Sequence, residues 1–134
     1  MKVVILGCGR VGATLATQLD QAGHTVSIID SSSDAFQRLP AKFKGDKIVG
    51  NGAQQDVLRR AGIETANAFA AVTNGDNRNI LASQIAKEIF HVKKVVCRIY
   101  DPLRQRTFDE LGLEGICPTT IVSDMFSDAL SENG

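Results

Sequence analysis

The chain has 134 residues, of which 43% are hydrophobic and 22% charged. That balance suits one globular domain and excludes disordered, collagen-like and disulfide-stapled classes. Fifteen basic residues against fifteen acidic ones give a formal net charge of zero, so no global field draws nucleic acid or an anionic membrane. The three cysteines, Cys8, Cys97 and Cys117, are odd in number and lack CxxC spacing, which predicts reduced thiols and no metal cluster.

The first predicted strand starts at Lys2, and its apolar run Val3 to Leu6 is too short for a signal segment. No later stretch approaches the roughly 18 apolar residues that cross a bilayer, so any membrane role is expected to be indirect. After Gly7 the period changes: Val11, Leu15 and Leu19 with Ala16 predict a helix from Arg10 to Ala22, stopped by Gly23. Thr25 to Ile29 is a β-branched strand ending at Asp30, and Ser31, Ser32 and Ser33 are expected to cap a short helix around Phe36 that Pro40 ends. Lys47 to Val49 is a short strand closed by Gly50-Asn51-Gly52, and residues 54 to 61 form a helix with Val57, Leu58 and Ala61 inward.

Phe69 to Val72 reads as a fourth strand. Asp76 or Asn77 is expected to cap a longer helix whose inward stripe is Leu81, Ile85 and Ile89, supported by Ala82 and Ala86. Val95 to Ile99 is a fifth strand, Pro102 to Leu111 a helix, and Gly115 to Cys117 a weak sixth strand. A last helix starts at Thr119 or Thr120. Its paired apolar residues Ile121, Val122, Met125, Phe126, Ala129 and Leu130 either cover the sheet or bury area in a partner. This order predicts an α/β fold: a Rossmann-like, doubly wound parallel sheet, strand order 3-2-1-4-5-6, with helices on both faces and a crevice at the carboxyl ends of strands one and four.

Gly7-Cys8-Gly9-Arg10-Val11-Gly12 matches GxGxxG directly after a buried strand and before an amphipathic helix, the context in which that spacing holds a pyrophosphate. Asp30, twenty-three residues after Gly7, stands where a carboxylate accepts bonds from both ribose hydroxyls and repels a 2′-phosphate, or else caps the next helix. Arg10 is placed either to reach phosphate or to face solvent. Asn51 either bonds the base or caps its turn, and Thr73, Asn74 and Asp76 either line the far side of the crevice or start the following helix. Arg98, in an apolar strand, needs a partner: Asp76, Asp101 or a ligand phosphate. The candidate cofactor-binding set is therefore Gly7, Cys8, Gly9, Arg10, Val11, Gly12, Asp30, Ser31, Asn51, Gly52, Thr73, Asn74, Asp76 and Arg98, with no metal ligands and no catalytic residues. Neither His24 nor His91 is placed as a base over the crevice, and no Tyr-xxx-Lys pair exists.

Taken together, the glycine loop, Asp30, Gly50-Asn51-Gly52, the Thr73 to Asn79 segment, Arg98 within Cys97 to Asp101, Leu111-Gly112 and Pro118 resemble the N-terminal RCK or KTN domain of potassium transport regulators of the TrkA type, over residues 1 to 131. The resemblance implies a non-enzymatic module, with residues 1–118 binding adenine nucleotide (ATP or ADP, or NAD or NADH) and residues 119–134 forming a crossover helix that packs on a neighbouring domain. It implies a homodimer or ring, cytoplasmic and held at the membrane through a potassium transporter or channel, with Arg10 acting on terminal phosphates and Arg98 near the distal part of the ligand. The rival readings are the nucleotide-binding half of an NAD-dependent dehydrogenase and a redox sensor using Cys8.

Overall fold

A computed structural model of the chain describes residues 1–131. Six strands, β1 (Lys2–Leu6), β2 (Thr25–Asp30), β3 (Asp46–Val49), β4 (Ala68–Ala71), β5 (Lys94–Arg98) and β6 (Glu114–Ile116), form one parallel sheet in the order β3-β2-β1-β4-β5-β6. Val3 lies beside Val26 on one side and Ala68 on the other, so β1 is the central strand and is buried on both faces, as its unbroken apolar run requires. The strand order reverses beside β1, which puts a crevice at the carboxyl ends of β1 and β4.

Helix α1 (Arg10–Gln21) covers β1 and β2 on one face. Helices α2 (Gln55–Arg60), α3 (Asp76–Gln84) and α4 (Gln105–Glu110) cover the other, around Leu6, Ile29, Leu58, Phe69, Ile80 and Phe108. Both α1 and α3 present small residues to the sheet. Gly12, Ala13 and Ala16 are buried in α1, while Val11 is exposed and Leu15 and Leu19 flank the contact. Close approach of helix to sheet selects small side chains at the centre and pushes large ones to the edges.

That geometry overturns the stripe expected for α3. Leu81 and Ile89 are 49% and 47% exposed, while Asn79, Ala82, Ser83 and Ala86 are fully buried beside Ile80 and Ile85. Two polar residues on the buried face hide the true period, and a π turn over Ile85–Ile89 shifts its phase further. Asp76 does not cap this helix: the N-cap is Gly75, with no side-chain bond. Nor do the serines cap the segment Ser33–Arg38, which is a 3-10 helix without a side-chain cap. The helix expected over 102–111 is split into a 3-10 turn, Pro102–Arg104, capped by Asp101, and α4.

The last helix, α5 (Pro118–Ser131), starts ahead of the expected threonines, and every described residue from Thr119 onward is exposed. It covers no part of the sheet. The segment expected to reach residue 134 has its last three positions outside the described residues. On the α1 face, Val72, Val96, Arg98 and Ile116 consequently line an uncovered hollow of about 570 Å³, bordered by α1 and Pro118.

Candidate functional site

A cavity of about 1340 Å³ runs along the carboxyl ends of β1, β2, β3 and β4. Of the residues singled out above, Gly7, Cys8, Gly9, Asp30, Ser31, Asn51, Gly52, Thr73, Asn74 and Arg98 line it. Gly7 turns the chain at φ 107°, a conformation only glycine adopts without strain, and its N–H donates to the Ile29 carbonyl at 2.7 Å. Gly12 lies behind the loop, where a Cβ would stand 1.7 Å from the Gly7 carbonyl oxygen. Helix α1 therefore begins as close to the loop as a backbone can come. Its N-cap, Gly9, makes no side-chain bond, so the first N–H groups of the helix lack intramolecular side-chain partners and present the positive end of its dipole.

Asp30 ties this loop to its neighbour. Its Oδ2 accepts the Cys8 N–H at 2.8 Å and its Oδ1 accepts the Ser32 N–H at 2.9 Å. An ionised carboxylate has about four acceptor sites, so roughly two remain for ligand hydroxyls. Asp30 thus does the local turn-forming work that the serines were expected to do, and it does so from a position at the cavity wall. Cys8 is fully buried and its Sγ donates to the Ala35 carbonyl at 3.3 Å. Burial pushes its thiol above the ordinary value of 9.0, and the Asp30 carboxylate adds to the shift against the opposing charges of Arg38 and Lys47. A protonated, buried thiol is a poor nucleophile, which counts against the redox reading.

Across the crevice, Asn79 organises the wall. Its Oδ1 accepts the Thr73 N–H at 3.1 Å and the Thr73 hydroxyl at 2.6 Å, and its Nδ2 donates to the carbonyls of Thr73 and Arg98, both at 3.0 Å. One buried amide therefore joins the end of β4 to the end of β5. Asn51 bends its own turn, its Oδ1 accepting the Ala53 N–H at 2.9 Å, which leaves its Nδ2 as the free donor.

Four expected residues sit elsewhere. Arg10 and Val11 face the second hollow on the α1 side, because the first turn of the helix rotates them away from the cavity. Gly12 is covered by Gly7. The Asp76 carboxylate accepts the N–H groups of Tyr100 and Asp101 at 2.6 and 3.0 Å, so it neither lines the cavity nor pairs with Arg98. Arg98 has no ion pair among the described residues; its guanidinium lies 5.3 Å from the Tyr100 ring centroid, and its Nε is buried without a hydrogen-bond partner. Arg98 lines both hollows.

Two cationic residues at the cavity escaped sequence reasoning. Arg38 donates from Nη1 to the Cys8 carbonyl at 3.3 Å, a placement created by the 3-10 segment folding back over the loop, for which the sequence carries no signal. Arg78 had one: in the first turn of a helix, side chains lean toward the N-terminus, which here is the crevice.

Residues 3–119 match the TrkA-N domain. The chain belongs to the TrkA-N domain family. It is 46% identical over all of its 134 residues to the Trk system potassium uptake protein TrkA of Streptomyces coelicolor, and spans 60% of that protein's length. Two solved structures share its fold. The Shewanella denitrificans Kef CTD in AMP bound form has a TM-score of 0.80 at 20% identity, covering 99% of this chain and 84% of that one. The GsuK channel bound to NAD has a TM-score of 0.81 at 21% identity, covering 96% of this chain and 23% of that one. Among the described residues of the TrkA-N chain, no helix is long and apolar enough to cross a membrane, and no group of three or more His, Cys, Asp or Glu clusters as metal ligands do.

Proposed function

We propose that this TrkA-N domain is the adenine-nucleotide sensor of a potassium uptake system or channel, cytoplasmic and held at the membrane by docking on the transporter. The observation that carries the reading is Asp30, which spends one acceptor site per oxygen on the glycine loop and its own turn and offers the rest to a ribose beside the open start of α1. AMP and NAD, the ligands named for two structural neighbours, share an adenosine monophosphate unit, which supports the reading of Asp30 as a ribose acceptor. The ligand is accordingly ATP or ADP, or NAD or NADH, with Asn51 and Gly52 at the base and Thr73, Asn74 and Arg98 beyond the phosphates. The dehydrogenase reading needs a proton donor or acceptor over the ring, and the residues lining the cavity include no histidine, lysine or tyrosine.

The domain acts as a homodimer or within a ring. Residues 1–118 bind nucleotide and residues 119–134 form the interface segment: Met125, Phe126 and Leu130 are 65%, 64% and 83% exposed, and an apolar hollow lies open where α5 begins. Arg10, turned from its own cavity, is free to meet a ligand held by the neighbouring copy. Nucleotides regulate transport only if they bind two interdomain arrangements with different affinity. Calorimetric titration with AMP tests the reading at its base. Binding by the parent chain and at least tenfold weaker binding by Asp30→Asn, which turns one acceptor into a donor, is the expected result. Failure of AMP to bind, or an unchanged affinity in D30N, refutes it.

A further inference from the structure

Two Asn-Gly pairs meet the cavity, Asn51-Gly52 and Asn74-Gly75, and the fold treats them differently. In such a pair the glycine nitrogen readily attacks the asparagine side-chain carbon, because glycine has no Cβ to shield that nitrogen and leaves the backbone free to turn. At Asn74 the nucleophile is occupied. The Gly75 N–H donates to the Thr73 hydroxyl oxygen at 3.1 Å, and the Arg78 guanidinium lies over the glycine, where a Cβ would stand 3.2 Å from Nη2.

At Asn51 the nucleophile is free: the Gly52 N–H has no hydrogen-bond partner among the described residues. The electrophile is also prepared. Asn51 Oδ1 accepts the Ala53 N–H at 2.9 Å, a bond that spans Gly52 and folds the side chain back along the backbone. That N–H draws electrons from Cγ and stands where it would hold the negative charge that develops on Oδ1 during attack. Asn51 is exposed, so water reaches it. Among the described residues the other asparagines, Asn67, Asn77 and Asn79, precede Ala68, Arg78 and Ile80, whose side chains shield the nitrogen.

We propose that Asn51 is a self-modifying site of the cavity wall, converted by ring closure onto the Gly52 nitrogen to aspartate or isoaspartate. Hydroxide takes the Gly52 proton, the nitrogen bonds to Asn51 Cγ, and the Cγ–Nδ2 bond breaks. Nδ2 takes a proton from water and leaves as ammonia, which restores the hydroxide. Water then opens the succinimide at either carbonyl, giving aspartate or isoaspartate with no change of oxidation state. Either product adds a carboxylate to a wall that already holds Asp30 and Asp34, close to Asp30, whose carbonyl accepts the Gly50 N–H at 3.0 Å. Aspartate can still accept the Ala53 N–H. Isoaspartate lengthens the backbone just ahead of Gly52, which packs so tightly that a Cβ there would stand 2.4 Å from Leu6 Cδ1. The added charge weakens an anionic ligand, a consequence that rests on the adenine-nucleotide reading of the cavity, whereas the conversion itself does not.

The test incubates the whole chain for days at mildly alkaline pH, folded and in urea, and maps its tryptic peptides by mass spectrometry and isoaspartate methylation. Peptides 48–59 and 61–78 carry one pair each. In the folded chain Asn51 should convert at least roughly tenfold faster than Asn74, whereas in urea, where the turn and the Thr73 bond are lost, the two rates should agree within about twofold. AMP should slow conversion at Asn51, and Asn51→Asp, with its fold verified by urea unfolding, should bind AMP roughly fivefold more weakly than the parent. A folded chain whose Asn51 stays intact while the unfolded chain converts, or whose two pairs convert alike, refutes the modification site. If N51D binds AMP as the parent does, the effect on ligand is refuted. If the parent binds no AMP, the nucleotide reading falls, and the mass readout alone decides the conversion.

Discussion

Gly9 and Gly12 belong to the same motif but do opposite jobs, and alanine at each separates folding from binding. A Cβ on Gly12 would stand 1.7 Å from the Gly7 carbonyl oxygen and 2.8 Å from its carbon, both backbone atoms held by the Gly7 bond to Ile29. No rotamer relieves that overlap, so α1 or the loop must move by more than about 1 Å. Overpacking a core costs about 1–3 kcal/mol where side chains can adjust; against fixed backbone, about 3 kcal/mol or more is expected for Gly12→Ala. For a chain of this length each kcal/mol shifts the melting temperature by about 4 °C, so G12A should melt about 12 °C or more below the parent. Gly9 differs. It has φ −81° and ψ −163°, ordinary extended backbone, and a Cβ there meets nothing within 4 Å. Gly9→Ala trades a stiffer unfolded chain against a poorer N-cap, each worth less than about 1 kcal/mol, and should melt within about 3 °C of the parent. Its new methyl group fronts the cavity where phosphate approaches the loop, and AMP affinity should fall at least tenfold. Calorimetric melting and AMP titration read both effects. A G12A protein melting with the parent, or a G9A protein binding AMP unchanged, would refute the division of labour.

Asn79→Ala strands the Thr73 N–H, the Thr73 carbonyl and the Arg98 carbonyl; a loss of about 3 kcal/mol in urea unfolding is expected, and a loss below about 1 kcal/mol would show that the network is dispensable. Burial raises the thiols of Cys8 and Cys97 above the ordinary 9.0. The unfolded chain then releases these protons first, so their contribution to stability is complete below the unfolded thiol pKa and fades as pH rises through it toward the folded value. Urea midpoints followed from about pH 8 to about pH 10.5 should fall, less steeply in the Cys8→Ala, Cys97→Ala double variant; equal slopes would contradict the burial argument. Replacing Met125 and Phe126 by Glu should convert the proposed homodimer to a monomer in light scattering while AMP binding persists, since neither residue touches the cavity. A variant of unchanged mass would remove α5 from the interface.

What the sequence determined by itself was the local chemistry whose cause is local. Unbroken apolar runs marked strands buried on both faces, glycine spacing marked the loop, and the alternation of strand and helix with right-handed crossovers left one economical sheet order. Asp30 was legible because a parallel sheet always delivers the end of β2 beside that loop. Tertiary structure decided which face each side chain takes. Leu81 reads as core, yet it lines the cavity wall, because Asn79 and Ser83 occupy the buried face and polar residues are invisible to an apolar period. Arg10 and Val11 lie inside the motif but rotate to the opposite side of the sheet on the first helical turn. Arg38 reaches the cavity because the Ser33–Arg38 segment folds back over the glycine loop, and Arg78 because its guanidinium leans back over Gly75 from the first turn of α3. A pattern of residue types fixes periodicity along the chain, whereas the direction of a long side chain is set by packing between segments distant in sequence, and the charge of this cavity is made of such side chains.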